Sequence, residues 1–346
     1  MKRLTEIHDP VFVPPERYTA FDRFWLGKIR DRRDLPFIYL SLRISLLMIP
    51  VGLLLYAPFV SGWAWWLLAL AYFVMNNFVY KGPFGLMMHC TSHRKWFKKK
   101  YEAANLYLPW FVGLFFGQTP ETYYAHHIGM HHPENNLEED ESTTMFYQRD
   151  SFRDFLRYFV DFLVVGLYRV AGYFRRKNRD RLFRKIVFGE IFFLIFCTAL
   201  SFVNFPATFM VFILPFLISR FIMMLGNWTQ HAFIDPQDPA NLYKSSITTI
   251  NVKYNHKCWN DGYHISHHIK PTLHWTEHPN HFRDNLDEYV QNRALIFDGV
   301  DYLAIFVLLM RRRYDLLARH VVNIGDSYAT DAEVIDMLKL RTMRLS

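Results

Sequence analysis

Paired cysteines are missing from this sequence. Its three, Cys90, Cys197 and Cys258, are scattered, which excludes a disulfide framework and a Cys-rich zinc site and fits a reducing compartment. The N-terminal stretch lacks an apolar core: Met1 to Pro36 is polar and holds Pro10, Pro14 and Pro15, so no secretory signal is expected there. No basic run is built into a nucleic-acid-reading motif. The net charge of +8 and pI of about 9.2 are therefore read as positive flanks of membrane helices, and no nucleic-acid partner is expected.

Apolar and aromatic residues are abundant. Hydrophobic residues make up 51% of the 346, with 33 Phe, 20 Tyr and 9 Trp, which suits a membrane-embedded protein with a polar domain attached. Hydropathy predicts four spans: Ile44 to Val60, Trp63 to Val79, Ile186 to Phe202 and Ala207 to Leu225, each near the ~17–25 residues that cross a bilayer. None of the four contains histidine. The connections Ser61-Gly62 and Val203-Asn204-Phe205-Pro206 carry no Lys or Arg, whereas the longer segments hold Lys95, Lys98, Lys99, Lys100 and the run from Arg175 to Lys185. That asymmetry places both termini and the central segment in the cytoplasm. Arg220, near the cytoplasmic end of the fourth span, is expected to snorkel or face the protein.

Two apolar stretches compete as spans. Leu106 to Gly117 is twelve residues, ~18 Å as helix and too short to cross. Phe159 to Tyr173 carries Asp161 and Arg169, costly at mid-bilayer. Both are assigned to the interface. Phe21, Trp25, Leu26 and Ile29, interspersed with Arg23, Lys28, Arg30, Arg32 and Arg33, read as an amphipathic segment on the membrane face or as an ordinary solvated helix.

Histidine is concentrated on the cytoplasmic side. The helix of the second span is expected to run on and deliver His89 and His93, four apart on one face. The stretch Ala125 to His132 holds His127, His131 and His132; His127 and His131 share a face by the same spacing, and His126 offers an alternative register. Beyond the fourth span come Asn227 and His231, again four apart, and then His264, His267 and His268 at positions i, i+3 and i+4. Nine histidines thus fall in segments on one membrane face.

These three clusters, with Asn227-x3-His231 before the last, resemble the membrane fatty acid desaturase superfamily of non-haem diiron enzymes over roughly residues 40 to 285. The resemblance implies two irons shared among His89, His93, His127, His131, His132, His231, His264, His267 and His268, with Asn227 holding a water at one of them. It does not say which histidine serves which iron. It implies that iron, oxygen and two external electrons remove two hydrogens from an acyl chain. His264 stands where front-end desaturases resemble one another in carrying Gln, which leans away from that subgroup.

The residue chemistry agrees. Breaking an unactivated methylene C–H bond is beyond a side-chain acid or base, and imidazole suits iron, zinc or copper. Soluble diiron bundles use glutamates with Glu-x-x-His pairs; here imidazoles replace them. Glu138, Glu139 and Asp140 either orient ligand imidazoles or form a solvated acidic loop. His8, His256, His274, His278, His281 and His320 are kept out of the ligand set. The basic clusters at Lys95–Lys100 and Arg175–Lys185 meet lipid headgroups, or dock an acidic electron donor or an acyl carrier.

The expected architecture is all-α: an integral membrane protein with four transmembrane helices and a cytoplasmic helical cap holding a His-rich dimetal site. Residues 1–36 form an interfacial segment, 37–285 the desaturase domain and 286–346 a C-terminal helical segment. Within the last, Tyr302 to Met310 is too short to span and Ala332 to Leu340 is an amphipathic packing helix. With no haem-binding domain in view, electrons are expected from a separate cytochrome b5 or ferredoxin. The expected reaction is desaturation of a fatty acyl lipid or thioester in the endoplasmic reticulum or bacterial inner membrane, with hydroxylation on the same scaffold as the alternative. A His-rich metal transporter would want ligands within the spans, where there are none.

Overall fold

A computed structural model describes residues 1–345. The chain is mostly helical and forms two compact units. One comprises Val13–His127 and Phe174–Phe221; the other comprises Met1–Phe12, Ile128–Tyr173 and the chain from Ile222 onward.

The first unit holds the long apolar helices. Among the described residues, two runs are long and apolar enough to cross a membrane, Arg32–Leu54 and Asp180–Gln230, and they fit a membrane protein. The second run is broken at Asn204, whose backbone is extended (φ −159°, ψ 97°). The Asn204 side chain accepts from the Ala207 N–H at 3.1 Å and Pro206 lies in the turn that follows; a cap and a proline restart the helix there. The break coincides with the expected connection. The first expected span is shifted: its helix begins well before Ile44 and ends at Leu54, because Pro58 disfavours helix in the residues leading to it. Helix also runs without interruption through Gly62–Val74, Met75–Tyr80 and Lys81–His93, as expected for a helix leaving the second span. Its first half turns large side chains outward, with Trp63 85% exposed and Phe78 76%, a surface suited to lipid.

Inside this unit, buried polar side chains recover the carbonyls of Val211, in a π turn, and of Phe115, the last residue of the helix Gly113–Phe115. The Tyr72 hydroxyl bonds the carbonyls of Phe115 and Val211 at 3.0 and 3.1 Å, and Asn76 Nδ2 donates to Phe115 at 2.8 Å. Val211 lies in the π turn Phe209–Ile213 and Asn76 in Met75–Tyr80. A backbone in lipid must satisfy its polar groups internally. Arg220 faces the protein, pairing with Glu190 at 2.9 Å and donating to Thr119 at 3.1 Å; Thr122 donates to the same carboxylate at 2.7 Å. Residues 106–115 form one short helical run, with the π turn Leu108–Val112 leading directly into Gly113–Phe115.

The second unit contains something an all-α reading omits. β1 (Ile247–Ile250) pairs in parallel with β2 (Leu295–Asp298), Ile247 opposite Leu295 and Ile250 opposite Asp298. Parallel strands need a long crossover, and this one carries the third histidine cluster on His264–Ile269. Both strands are buried throughout. Leu295 and Phe297 pack with Tyr302, Ile305, Leu309, Val334 and Leu338, so Tyr302–Met310 and Asp331–Arg341 are packing helices. Ile250 and Ile296 pack with Tyr263, Ile265 and Phe282 beside the third cluster. The N-terminal residues brace that region: Asp9 accepts from the Tyr263 hydroxyl at 2.7 Å and Pro10 from Asn260 at 2.7 Å.

Helix packing in the first unit depends on glycines at close backbone approaches, Gly189 and Gly117 among them. A Cβ on Gly189 would fall 1.8 Å from the Pro120 carbonyl oxygen, a backbone atom, whereas one on Gly85 would meet nothing within 4 Å. Gly189→Ala is expected to destabilise the protein by at least about 1–3 kcal/mol and lower its thermal midpoint in detergent. Gly85→Ala should leave that midpoint unchanged or raise it; equal behaviour of the two variants would refute the packing argument.

Candidate metal centre

In the first unit, the helix ending at His93 brings two imidazoles to a third. His93 Nε2 lies 3.0 Å from His127 Nε2, and the His89 and His127 rings are 4.6 Å apart. Tyr123 stacks on His127 with ring centres 5.3 Å apart. It is His127, not His126, that turns toward His89 and His93.

In the second unit, His131, His231, His264 and His268 are all buried, each offering a ring nitrogen within 4.8 Å of the others. His264 Nε2 is 3.2 Å from His231 Nε2 and 2.9 Å from His268 Nε2. His132 and His267 meet separately in the same unit, Nε2 to Nε2 at 2.9 Å.

The groupings differ from the expected faces. His127 and His131 were to share one face, but His127–His131 is a π turn. Its i→i+5 bonding widens the turn, so residues four apart no longer align. His131 therefore joins His231, while its neighbour His132 turns to His267. The third cluster divides likewise: His264 and His268 fall one above the other on their helix and His267 points elsewhere.

The outer nitrogens are pinned. His131 Nδ1 donates to Asp140 Oδ2 at 2.7 Å, and His231 Nδ1 donates to the Ser245 carbonyl at 2.8 Å. Each bond fixes the tautomer and turns the Nε2 lone pair inward. Asp140 is itself held, accepting from the Ser142 N–H at 2.8 Å, the Ser142 hydroxyl at 2.6 Å and the Asn136 N–H at 3.0 Å. Asn135 and Asn136 take positive φ, a conformation asparagine tolerates, and so turn the chain back beneath the helix. Of Glu138, Glu139 and Asp140, only Asp140 is buried; the other two are exposed. Arg149, fully buried, donates to the carbonyls of Thr144, Ala232 and Arg341 at 3.2, 3.0 and 3.1 Å, fixing the residue after His231.

Asn227 lies one turn before His231 and outside the four-imidazole group. Its Nδ2 donates to the Tyr158 hydroxyl at 2.7 Å and the Ser142 carbonyl at 2.9 Å, which leaves Oδ1 as the atom able to take a water. Sequence reasoning missed Tyr158 and the Ser245 carbonyl, and neither has a spacing signal. Of the excluded histidines, His278 bonds Ser266 in the third cluster's helix, His274 pairs with Thr276 and His320 with the Asp298 carbonyl. His281 is buried, His256 is exposed, and the His8 N–H donates to Asn251.

Burial holds His231 down to about 3 and His268 well below its usual range. Both are therefore neutral imidazoles near neutral pH, the form that binds metal. Convergent lone pairs on buried rings, two of them with the outer nitrogen hydrogen-bonded, make a donor set that fits a transition-metal cation.

Two outcomes follow. Asp140→Asn should weaken metal retention about 10–100-fold in a chelator competition on purified protein; unchanged retention would remove Asp140 from its orienting role. In the metal-free protein, His231 binds a proton more readily unfolded than folded. Its contribution to stability is therefore complete above the unfolded pKa of about 6.5 and lost as pH falls toward 3. The thermal midpoint of chelator-treated protein should drop between about pH 7.5 and about pH 5, and a flat profile would contradict the burial.

The family model described as fatty acid desaturase matches residues 64–299, a stretch that contains all three histidine clusters and Asn227. No curated protein matches the chain. On the extent of that match, the chain belongs to the fatty acid desaturase family.

Proposed function

We propose that this desaturase-type oxidoreductase introduces a double bond into a fatty acyl chain, presented as a lipid or a thioester. It uses molecular oxygen and electrons from an external donor such as cytochrome b5 or a ferredoxin. Its ligands for two non-haem irons are His89, His93, His127, His131, His132, His231, His264, His267 and His268, with Asn227 acting through a water. When bound, the irons supply the oxidising power that an unactivated methylene C–H bond demands and side chains lack.

The chain's own residues do the rest. Asp140 and the Ser245 carbonyl keep the protons of His131 and His231 on Nδ1, so both rings present Nε2. Tyr158 and the Ser142 carbonyl engage the Asn227 amide N–H groups and aim its oxygen. Burial keeps His231 and His268 from protonating, and the packed shell excludes bulk water from the reacting groups.

The proposal includes four transmembrane helices, both termini and the histidines on the cytoplasmic side, and a catalytic domain over residues 37–285. The break at Asn204 and the exposed apolar face of the helix from Gly62 support the span count. The membrane is that of the endoplasmic reticulum or the bacterial interior face. The observation that carries the reading is the buried His131, His231, His264 and His268 group with Asp140 behind it.

Fatty-acid profiling of a host expressing the chain should reveal a new alkene that His131→Ala abolishes. A hydroxylated product would replace the desaturase reading with a hydroxylase one, and identical profiles from both proteins would overturn it.

A further inference from the structure

The helical run Phe152–Asp161, Phe162–Gly166 and Leu167–Arg176 has two apolar faces. Within the second unit, Phe155, Tyr158, Phe162 and Val170 are buried, at the three- and four-residue spacing of a packed face. A second row recurs every fourth residue and points away: Phe152 is 51% exposed, Leu156 40%, Val160 51%, Val164 72% and Tyr168 83%. Five large apolar side chains in a row, facing out, mark a surface that something covers.

Alongside this row runs a groove of about 800 Å³, whose lining includes Tyr147, Phe152, Leu156, Val160 and Val164 with Arg153 and Arg157. The charges are unevenly placed. Asp161, also in the lining, is matched by Arg169 through two oxygen contacts, one of 3.0 Å. Asp154 meets Arg157 at only 3.3 Å through one nitrogen, and Arg157 is 58% exposed. Arg153 is exposed and makes no ion pair among the described residues. The groove therefore pairs an apolar floor with two guanidiniums one helical turn apart at one end.

We propose that this groove binds one anionic membrane phospholipid. An acyl chain lies along Leu156, Val160 and Val164, and the phosphate is held by Arg153 and Arg157. Arginine presents forked donors suited to phosphate, and the length of the apolar row suits a lipid tail better than a soluble anion. The back wall of the groove is Tyr147, whose ring packs 5.5 Å from Tyr158 and 5.8 Å from Trp228. Those side chains flank Asn227, so an occupied groove buttresses the network that aims its amide.

The inference rests on the membrane reading above but not on the oxidation chemistry. Its test reads lipid instead of product, so the failure of one is distinguishable from the failure of the other. The full chain carrying a benzoylphenylalanine photocrosslinker at Val164 is placed in phosphatidylcholine nanodiscs containing a minority of phosphatidylglycerol. Adducts are then identified by mass spectrometry. Phosphatidylglycerol should be enriched in the adduct on the order of tenfold over its share of the bilayer. In a folded Arg153→Gln, Arg157→Gln variant, lipid should still crosslink but in bulk proportion. Bulk proportion in the native chain overturns the proposal, as does crosslinking to protein in place of lipid or enrichment that survives loss of both arginines. The comparison within the native chain decides the matter even where the double variant fails to fold.

Discussion

Ring nitrogens repel when their lone pairs are turned on one another, and holding four imidazoles within 4.8 Å is the constraint around which the second unit is built. Nothing in a helix or a strand does this by itself. The outer nitrogen of each ring must have something to give its proton to, or the ring rotates and the lone pair leaves. Asp140 and the Ser245 carbonyl supply those acceptors, and each is fixed by its own neighbours. The loop Asn135–Thr144 is tied to Asp140 by the Asn136 and Ser142 N–H groups. It is tied to the segment that carries His231 by Thr144, whose hydroxyl donates to the His231 carbonyl at 2.9 Å. His131 and His231 are thus held at both ends of the ring, and the backbone donors and acceptors that do it are largely local.

How much of this was legible in the sequence follows from which features have a period. Histidines four apart stand out, as do apolar runs near twenty residues, so the clusters, the helical class and the break at Asn204 were readable. The π turn at His127–His131 was not, because its extra residue per turn leaves no mark on composition, and it redirected His131 away from the face it was assigned. Asp140 sat among four consecutive acids with nothing to distinguish it; the positive-φ asparagines before it bring it under His131. β1 and β2 are four residues each, too short for a strand pattern to rise above the surrounding helix. Tyr158 and the Ser245 carbonyl act through tertiary placement alone.

The same shortage of backbone partners shapes the apolar unit. In water, a carbonyl freed by a π turn finds solvent; among lipid-facing helices it has to find a side chain. Tyr72 serves that purpose at Val211, and with Asn76 it takes the carbonyl of Phe115 at the end of its own short helix, which explains why residues so polar lie fully buried there. Glu190 and Arg220 follow the same logic with charge. Either one alone would be an uncompensated buried ion, and removing one partner of such a pair is more damaging than never having had it. Thr119 and Thr122 lead into the His127 helix. The pair therefore positions the start of that helix as well as neutralising itself.

Charge also bears on the choice of imidazole. A centre built from carboxylates would neutralise bound cations and draw protons as pH falls. Neutral imidazoles such as His231 and His268 would leave the charge of a bound cation on the metal, where it raises the metal's power to withdraw electrons. Within the second unit's group, Asp140 places one negative charge directly behind His131, so that ring becomes a stronger donor than His231, whose outer nitrogen meets only a carbonyl. The four rings are therefore inequivalent by construction. The asymmetry lies along the line from Asp140 through His131, on the side where Ser142 also meets Tyr158 and Asn227. Ser142 thus ties the acid that orients His131 to the hydroxyl of Tyr158 and the amide of Asn227, one turn before His231.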